Sequence, residues 1–172
     1  MTTINSFKLL AKPQAQILIL GSMPSVTSLE KQQYYAHPRN AFWRIMLDLF
    51  NDHKPLSYEQ GEALLKAQDI AVWDVLESCV RQGSLDSAIQ KQSIKVNDFA
   101  ALFKAFPRLH TIFFNGGAAE TLYKKNVLPE LSLAQQSIKR IKLPSTSPAY
   151  AAMSYEDKLA AWQLVKASLV LS

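Results

Sequence analysis

Gln16-Ile17-Leu18-Ile19-Leu20-Gly21 is the stretch that decides the fold class. Ile17 to Leu20 is apolar without interruption and stops at a glycine. A strand with one wet face would alternate; a continuous run marks a strand covered on both faces, the habit of parallel sheets sandwiched between helices. Working outward, comparable runs recur at Ile70 to Val75, Thr111 to Phe114 and Ile138 to Leu143. Helical signals lie between them. Asn40 stands where an N-cap belongs, ahead of Phe42, Ile45, Met46 and Leu49 at helical spacing. Ser57-Tyr58-Glu59-Gln60 reads as a capping box opening a second helix. Asn97 reads as the cap of a helix running to Phe106, and another helix follows Asn115-Gly116-Gly117. Ser154-Tyr155-Glu156-Asp157 caps the last one, with Leu159, Trp162, Leu164, Val165 and Leu169 as its apolar face. The stretch 22–39, holding Pro24 and Pro38, reads as a long loop. Strands separated by helices imply crossover connections. The predicted architecture is α/β: a three-layer α/β/α domain with a central, mainly parallel four-stranded sheet, one domain over residues 1–172.

In such a sheet ligands bind beyond the carboxyl ends of the strands. Those ends open into 21–39, 74–78, 115–117 and 144–150, which hold Gly21, Gly116 and Gly117, three of the five glycines. Glycine there permits close backbone approach to a ligand, or merely a turn.

Composition narrows the function. A hydrophobic fraction of 48% over 172 residues excludes a disordered chain. A single cysteine, Cys79, excludes a disulfide framework or a multi-thiolate metal site. The sequence carries no P-loop, dinucleotide fingerprint, zincin helix or nucleophile elbow. His37, His53 and His110 fall on unrelated segments, so no metal site is expected. The N-terminus lacks a signal-peptide core and no apolar run could span a bilayer, so a cytoplasmic protein without membrane contact is expected; a monomer is the separate expectation for its oligomeric state. The net charge of +5 is uneven. Residues 1–50 hold five Lys/Arg against two acids, 51–100 five against eight, and 101–172 nine against four. Two basic ends suit a polyanion such as nucleic acid, or equally a set of solvated helix faces.

The most informative loop is Gln33-Tyr34-Tyr35-Ala36-His37-Pro38-Arg39-Asn40-Ala41-Phe42-Trp43. Aromatic rings beside amide and cationic groups suit stacking on a flat heterocycle while its edge is hydrogen-bonded. Read singly, either tyrosine fits a core plug, Asn40 a helix cap and Arg39 a solvated cation. Their joint occurrence at a strand end favours a site.

Gly21-Ser22-Met23-Pro24 followed by Ala36-His37-Pro38-Arg39-Asn40-Ala41-Phe42-Trp43 resembles the first motif region of the uracil-DNA glycosylase superfamily. Pro144-Ser145-Thr146-Ser147-Pro148-Ala149 stands where that superfamily carries its second motif, which grips the damaged strand and supplies a wedge. From about residue 15 to 165 the chain most resembles the hypoxanthine-DNA glycosylase family, including Trp73-Asp74-Val75-Leu76 and Gly83-Ser84-Leu85-Asp86-Ser87. One position departs from most of the superfamily. Met23 stands where Asp or Asn orients the attacking water, a loss that the hypoxanthine family shares and that moves catalysis to the match of Asn40.

The resemblance implies a monofunctional DNA glycosylase acting on deaminated bases, hypoxanthine foremost, with DNA as partner and no cofactor. It assigns catalysis to Asn40 and base stacking to Tyr35. Gly21 and Ser22 would line the base pocket. Asp74 would accept the N1–H that hypoxanthine has and adenine lacks, or else would cap the next turn; Asn115 is a weaker candidate for the same pocket. His37, Arg39, Ser145, Thr146 and Ser147 would contact DNA, with Pro148, Ala149 or Tyr150 filling the vacated stack. Lys142, with Lys139 and Arg140, would add salt-dependent affinity. The competing readings are a uracil or thymine mismatch glycosylase on the same scaffold, and a non-catalytic nucleic-acid-binding module.

Overall fold

The computed structural model describes residues 2–170. In chain order the elements are β1 (Thr3–Asn5), β2 (Ile17–Gly21), α1 (Val26–Lys31), α2 (Phe42–Phe50), α3 (Tyr58–Ala67), β3 (Ile70–Asp74), β4 (Leu76–Val80), β5 (Lys95–Val96), α4 (Phe99–Ala105), β6 (Thr111–Asn115), α5 (Gly117–Asn126), α6 (Leu133–Gln136), β7 (Lys139–Leu143) and α7 (Tyr155–Ala167). The main sheet runs β3-β2-β6-β7 with every neighbouring pair parallel. The four predicted strands are therefore present and the sheet is wholly parallel.

β2 is buried along its whole length. The pleat sends Leu18 and Leu20 to one face and Ile17 and Ile19 to the other. Phe99, Leu102 and Phe103 of α4 and Ala119 and Tyr123 of α5 cover the first face. Phe42, Ile45, Met46 and Leu49 of α2, Leu65 of α3, and Trp162 and Val165 of α7 cover the second. Burying one such aliphatic or aromatic side chain is worth about 1.5–3 kcal/mol, so these two layers hold the strand ends in register. The three-layer arrangement matches the expectation from the apolar runs.

Several local expectations are corrected. The stretch 22–39 is not all loop: α1 forms within it, capped by Ser25, whose side chain accepts from Ser28 N. The N-cap of α2 is Ala41 rather than Asn40, which instead sits one residue earlier. Asp98, not Asn97, caps α4 by accepting from Ala101 N; Asn97 donates to the backbone oxygen of Asp74 at 2.8 Å. Leu164 is 47% exposed, because it lies on the far side of α7 from Trp162 and Val165. A second, antiparallel sheet in the order β1-β4-β5 gave no clear alternation in the sequence, its strands being two to five residues long. Among the described residues no helix is long and apolar enough to cross a membrane.

Candidate active site

The carboxyl ends of β2, β3, β6 and β7 converge on a cavity of about 290 Å³. Its walls come from four segments far apart in sequence: Gly21–Ser25, Tyr34–Asn40, Ser84–Asp86 and Ser145–Ala149, with Asp74 and Asn115 between them. Twelve of the fourteen residues assigned from the sequence line it directly. Arg39 is the first exception; it opens instead onto an adjoining cleft with Asn40, Arg44 and Lys158. Lys142 is exposed on β7, apart from both clefts.

Tyr35 is held in an unusual backbone state. Its φ of 53° is left-handed, a conformation that costs a non-glycine residue about 1 kcal/mol. Its neighbour secures it: Tyr34 is buried, donates its hydroxyl to Lys8 O at 2.8 Å, and offers its own carbonyl to Trp43 Nε1 at 2.8 Å. The Tyr34 N–H donates to the Tyr58 hydroxyl. The Tyr35 ring then stacks on Phe42, 4.2 Å between centroids and 28° between planes. Its hydroxyl is buried without a hydrogen-bond partner among the described residues.

Asp74 ends β3 directly beside Gly21 in the sheet register. It is 3% exposed, and its Oδ2 lacks a hydrogen-bond partner among the described residues. A β-carbon on Gly21 would stand 2.6 Å from Asp74 Oδ1 and 3.0 Å from the Tyr35 hydroxyl. Glycine is required there for close approach, since both polar groups press against its backbone. Burial pushes the Asp74 carboxyl up to about 7, helped by the Asp86 charge and opposed by Arg81.

Asn40 lines the cavity where the loop enters α2. Its Oδ1 accepts from Phe42 N at 3.0 Å, which leaves both Nδ2 protons and one Oδ1 lone pair. His37 is fixed by the same turn: its carbonyl accepts from Asn40 N and its Nδ1 from Arg39 N. The neutral ring therefore carries its proton on Nε2, as a donor. Met23, 7% exposed, packs into the core while touching the cavity, so the apolar residue at that motif position serves the fold.

The loop after β7 is tied down from three sides. Ala41 N donates to Thr146 O at 2.9 Å, Trp162 Nε1 to Pro144 O at 2.9 Å, and Lys158 Nζ to Tyr150 O at 2.7 Å. Ser145 and Ser147 accept from the backbone N–H groups of Ser147 and Ala149. Their hydroxyl protons remain for an anion. Thr146, expected among the DNA contacts, is 1% exposed; its hydroxyl oxygen and its N–H both bond Asn115. It holds the loop instead. Asn115, expected to face a base, lines the cavity but spends its carboxamide on that pair.

The wall of Ser84, Leu85 and Asp86 was legible only as part of the resembling string Gly83-Ser84-Leu85-Asp86-Ser87. Ser22 Oγ donates to Asp86 Oδ1 at 2.6 Å, and Val26 N to Ser84 Oγ at 2.9 Å. Arg81 is buried and donates from Nε to Gly83 O and from Nη2 to Pro24 O. Arg81 and Asp86 were missed because nothing local to them signals that they return to the β2 end. On the opposite flank, the Tyr155 hydroxyl and His53 both bond Asp48, and Arg44 lies 3.6 Å over the Tyr155 ring, which locks α7 to α2. Among the described residues no group of three or more His, Cys, Asp or Glu is placed to hold a metal ion.

A family model for the uracil DNA glycosylase superfamily matches residues 7–166. A hypoxanthine DNA glycosylase of Methanosarcina acetivorans is 41% identical over 130 residues, 70% of this chain and 81% of that protein. One of Methanosarcina barkeri is 38% identical over 102 residues, 59% of this chain and 63% of that protein. The solution NMR structure of a Methanosarcina acetivorans chain named for uracil DNA glycosylase superposes with a TM-score of 0.75 at 32% identity, over 96% of this chain and 99% of that one.

Proposed function

The chain belongs to the uracil DNA glycosylase superfamily, and from that premise we propose that it is a monofunctional DNA glycosylase that removes deaminated bases, hypoxanthine foremost. The observation that carries this reading is the single cavity joining a stacking ring, a carboxamide and a buried carboxyl at the sheet ends. A base inside a duplex cannot reach such a cavity, so the nucleotide must be extruded; extrusion costs least where the base is mispaired. Tyr35 then stacks on the base, supported from behind by Phe42. Asp74 meets the N1–H on its edge.

Hydrolysis adds a water oxygen to the sugar carbon as the base leaves with the electron pair of the glycosidic bond. The sugar becomes cation-like and the base anion-like. Asn40 orients the water and faces the positive sugar with its amide dipole; an amide is no general base, so its share is orientation and preorganised electrostatics. Ser145, Ser147 and His37 supply donors for the flanking phosphates, and Pro148, Ala149 or Tyr150 occupies the vacated stack. The protein acts alone in this scheme, as a monomer in the cytoplasm. Similarity to proteins named hypoxanthine DNA glycosylase supports the choice of base.

The test is an excision panel: duplexes carrying deoxyinosine, deoxyuridine, a thymine–guanine mismatch or normal pairs, scored for alkali-labile sites. Deoxyinosine cut first and normal adenine untouched is the expected result. Binding without any alkali-labile site would leave a non-catalytic module.

A further inference from the structure

Asp74 occupies a setting that suits a carboxylic acid better than a carboxylate. It is buried in the cavity lining, and its Oδ2 has no hydrogen-bond partner among the described residues. No ion pair is made to it among the described residues. The nearby cation, Arg81, directs Nε and Nη2 to the carbonyls of Gly83 and Pro24, and its buried Nη1, without a hydrogen-bond partner among the described residues, makes no ion pair with Asp74. The groups that act on Asp74 electrically are Asp86 and Arg81 from the segment after β4 and Tyr34 and Tyr35 from the loop before α2, while His37 lines the same cavity. Asp86 is itself pinned by the Ser22 hydroxyl at 2.6 Å, on the same wall. An ionised Asp74 would thus be desolvated, unpaired and faced by a like charge.

Building on the glycosylase reading, we propose that Asp74 works as a neutral acid whose O–H donates to the carbonyl oxygen, and whose C=O accepts from the adjacent ring N–H, of the extruded base, with Asp86 as the positioning residue that favours this form. Hypoxanthine presents such an edge at O6 and N1–H, and uracil presents the same pair of atoms. As the glycosidic bond breaks, negative charge spreads onto that carbonyl oxygen, and the O–H bond to it strengthens with it. An ionised carboxylate would repel the same charge. The proton stays on Asp74 throughout; the base departs as an anion and the attacking water releases its proton to solvent. Adenine can pair with a neutral acid by exchanging which oxygen carries the proton, so its exclusion falls to the energy of unpairing it.

Single-turnover excision of deoxyinosine, followed on both sides of neutrality, reads this directly. The wild-type rate should fall as pH rises through about 7. Asp74→Asn keeps a donor and an acceptor side by side, so it should excise within about tenfold of wild type and lose the alkaline fall. Asp86→Asn should move the fall to lower pH by about one unit, which a purely structural residue would not do. A rate that rises with pH, or an Asp74→Asn rate down by about 10² or more, would overturn the proposal. Carboxyl-carbon NMR of the free protein separates the two layers. If no duplex is cut at any pH, the glycosylase reading fails; if Asp74 titrates in the ordinary carboxylate range, the acid proposal fails whatever the excision panel shows. An Asp74 midpoint unmoved by Asp86→Asn removes the role given to Asp86.

Discussion

Asn115 and Thr146 exchange two hydrogen bonds of 2.9 Å each, Nδ2 to Oγ1 and backbone N to Oδ1. The end of β6 thereby clamps the loop after β7, and the loop in turn accepts from Ala41 N at the start of α2. Both motif regions of the cavity hang on this pair. Thr146→Val removes the hydroxyl but keeps the backbone bond, and should cost about 1 kcal/mol of stability because the half-buried Asn115 amide loses its acceptor. Binding of deoxyinosine DNA should weaken more than the chemical step slows, which single-turnover kinetics against substrate concentration resolves.

Asn40→Ala should lower the single-turnover rate about 10²–10³-fold. The lost bond to Phe42 N is worth about 1 kcal/mol, so unfolding by urea should show a folded protein slightly weakened. A variant that folds and excises at the normal rate would return Asn40 to the role of a turn residue.

Gly21→Ala inserts a methyl group 2.6 Å from Asp74 Oδ1. The carboxyl and the Tyr35 hydroxyl must both retreat, at about 1–3 kcal/mol of overpacking strain. Excision should fall far more than the melting temperature suggests, since the strain is focused on the base edge.

Asp74 sets a pH dependence of stability with a definite sign. Its folded value of about 7 lies above the ordinary 3.8, so between those values the native state holds a proton that the unfolded chain releases. Stability from this group therefore falls as pH rises from about 4 to about 7, and stays reduced above that. Asp74→Asn removes the penalty and should stabilise the protein by as much as about 4 kcal/mol at slightly alkaline pH, and by little near pH 4. Urea midpoints at the two pH values check it; equal gains at both would show that ionisation is not the cause.

Tyr35→Phe deletes a buried hydroxyl without a partner and should leave stability unchanged or raised by about 1 kcal/mol. The ring stacked on Phe42 survives, so base capture should persist. Tyr35→Ala removes the ring and should weaken capture of deoxyinosine DNA by about 1–3 kcal/mol, measured as affinity.

What the sequence determined by itself was everything written in periodicity or in short strings. Ile17 to Leu20 reads as a doubly buried strand because apolar side chains must alternate onto two dry faces. Ser57 and Ser154 read as caps because a helix start needs a side-chain acceptor within three residues. The string from Tyr34 to Trp43 marked the site because stacking and amide groups crowd one strand end. The tertiary structure decided the rest. Asn97 and Leu164 were misread because cap choice and helix rotation depend on what packs alongside. Asn115 and Thr146, 31 residues apart, could each look like a ligand contact until the fold paired them. Asp86 joins the cavity, with Arg81 behind it, only because β4 carries the chain back past the end of β2. Asp74 is the sharpest case. Its place at a strand end was legible, but its protonation depends on burial, on Asp86 and on Arg81, and those are properties of neighbours in space that no local pattern encodes.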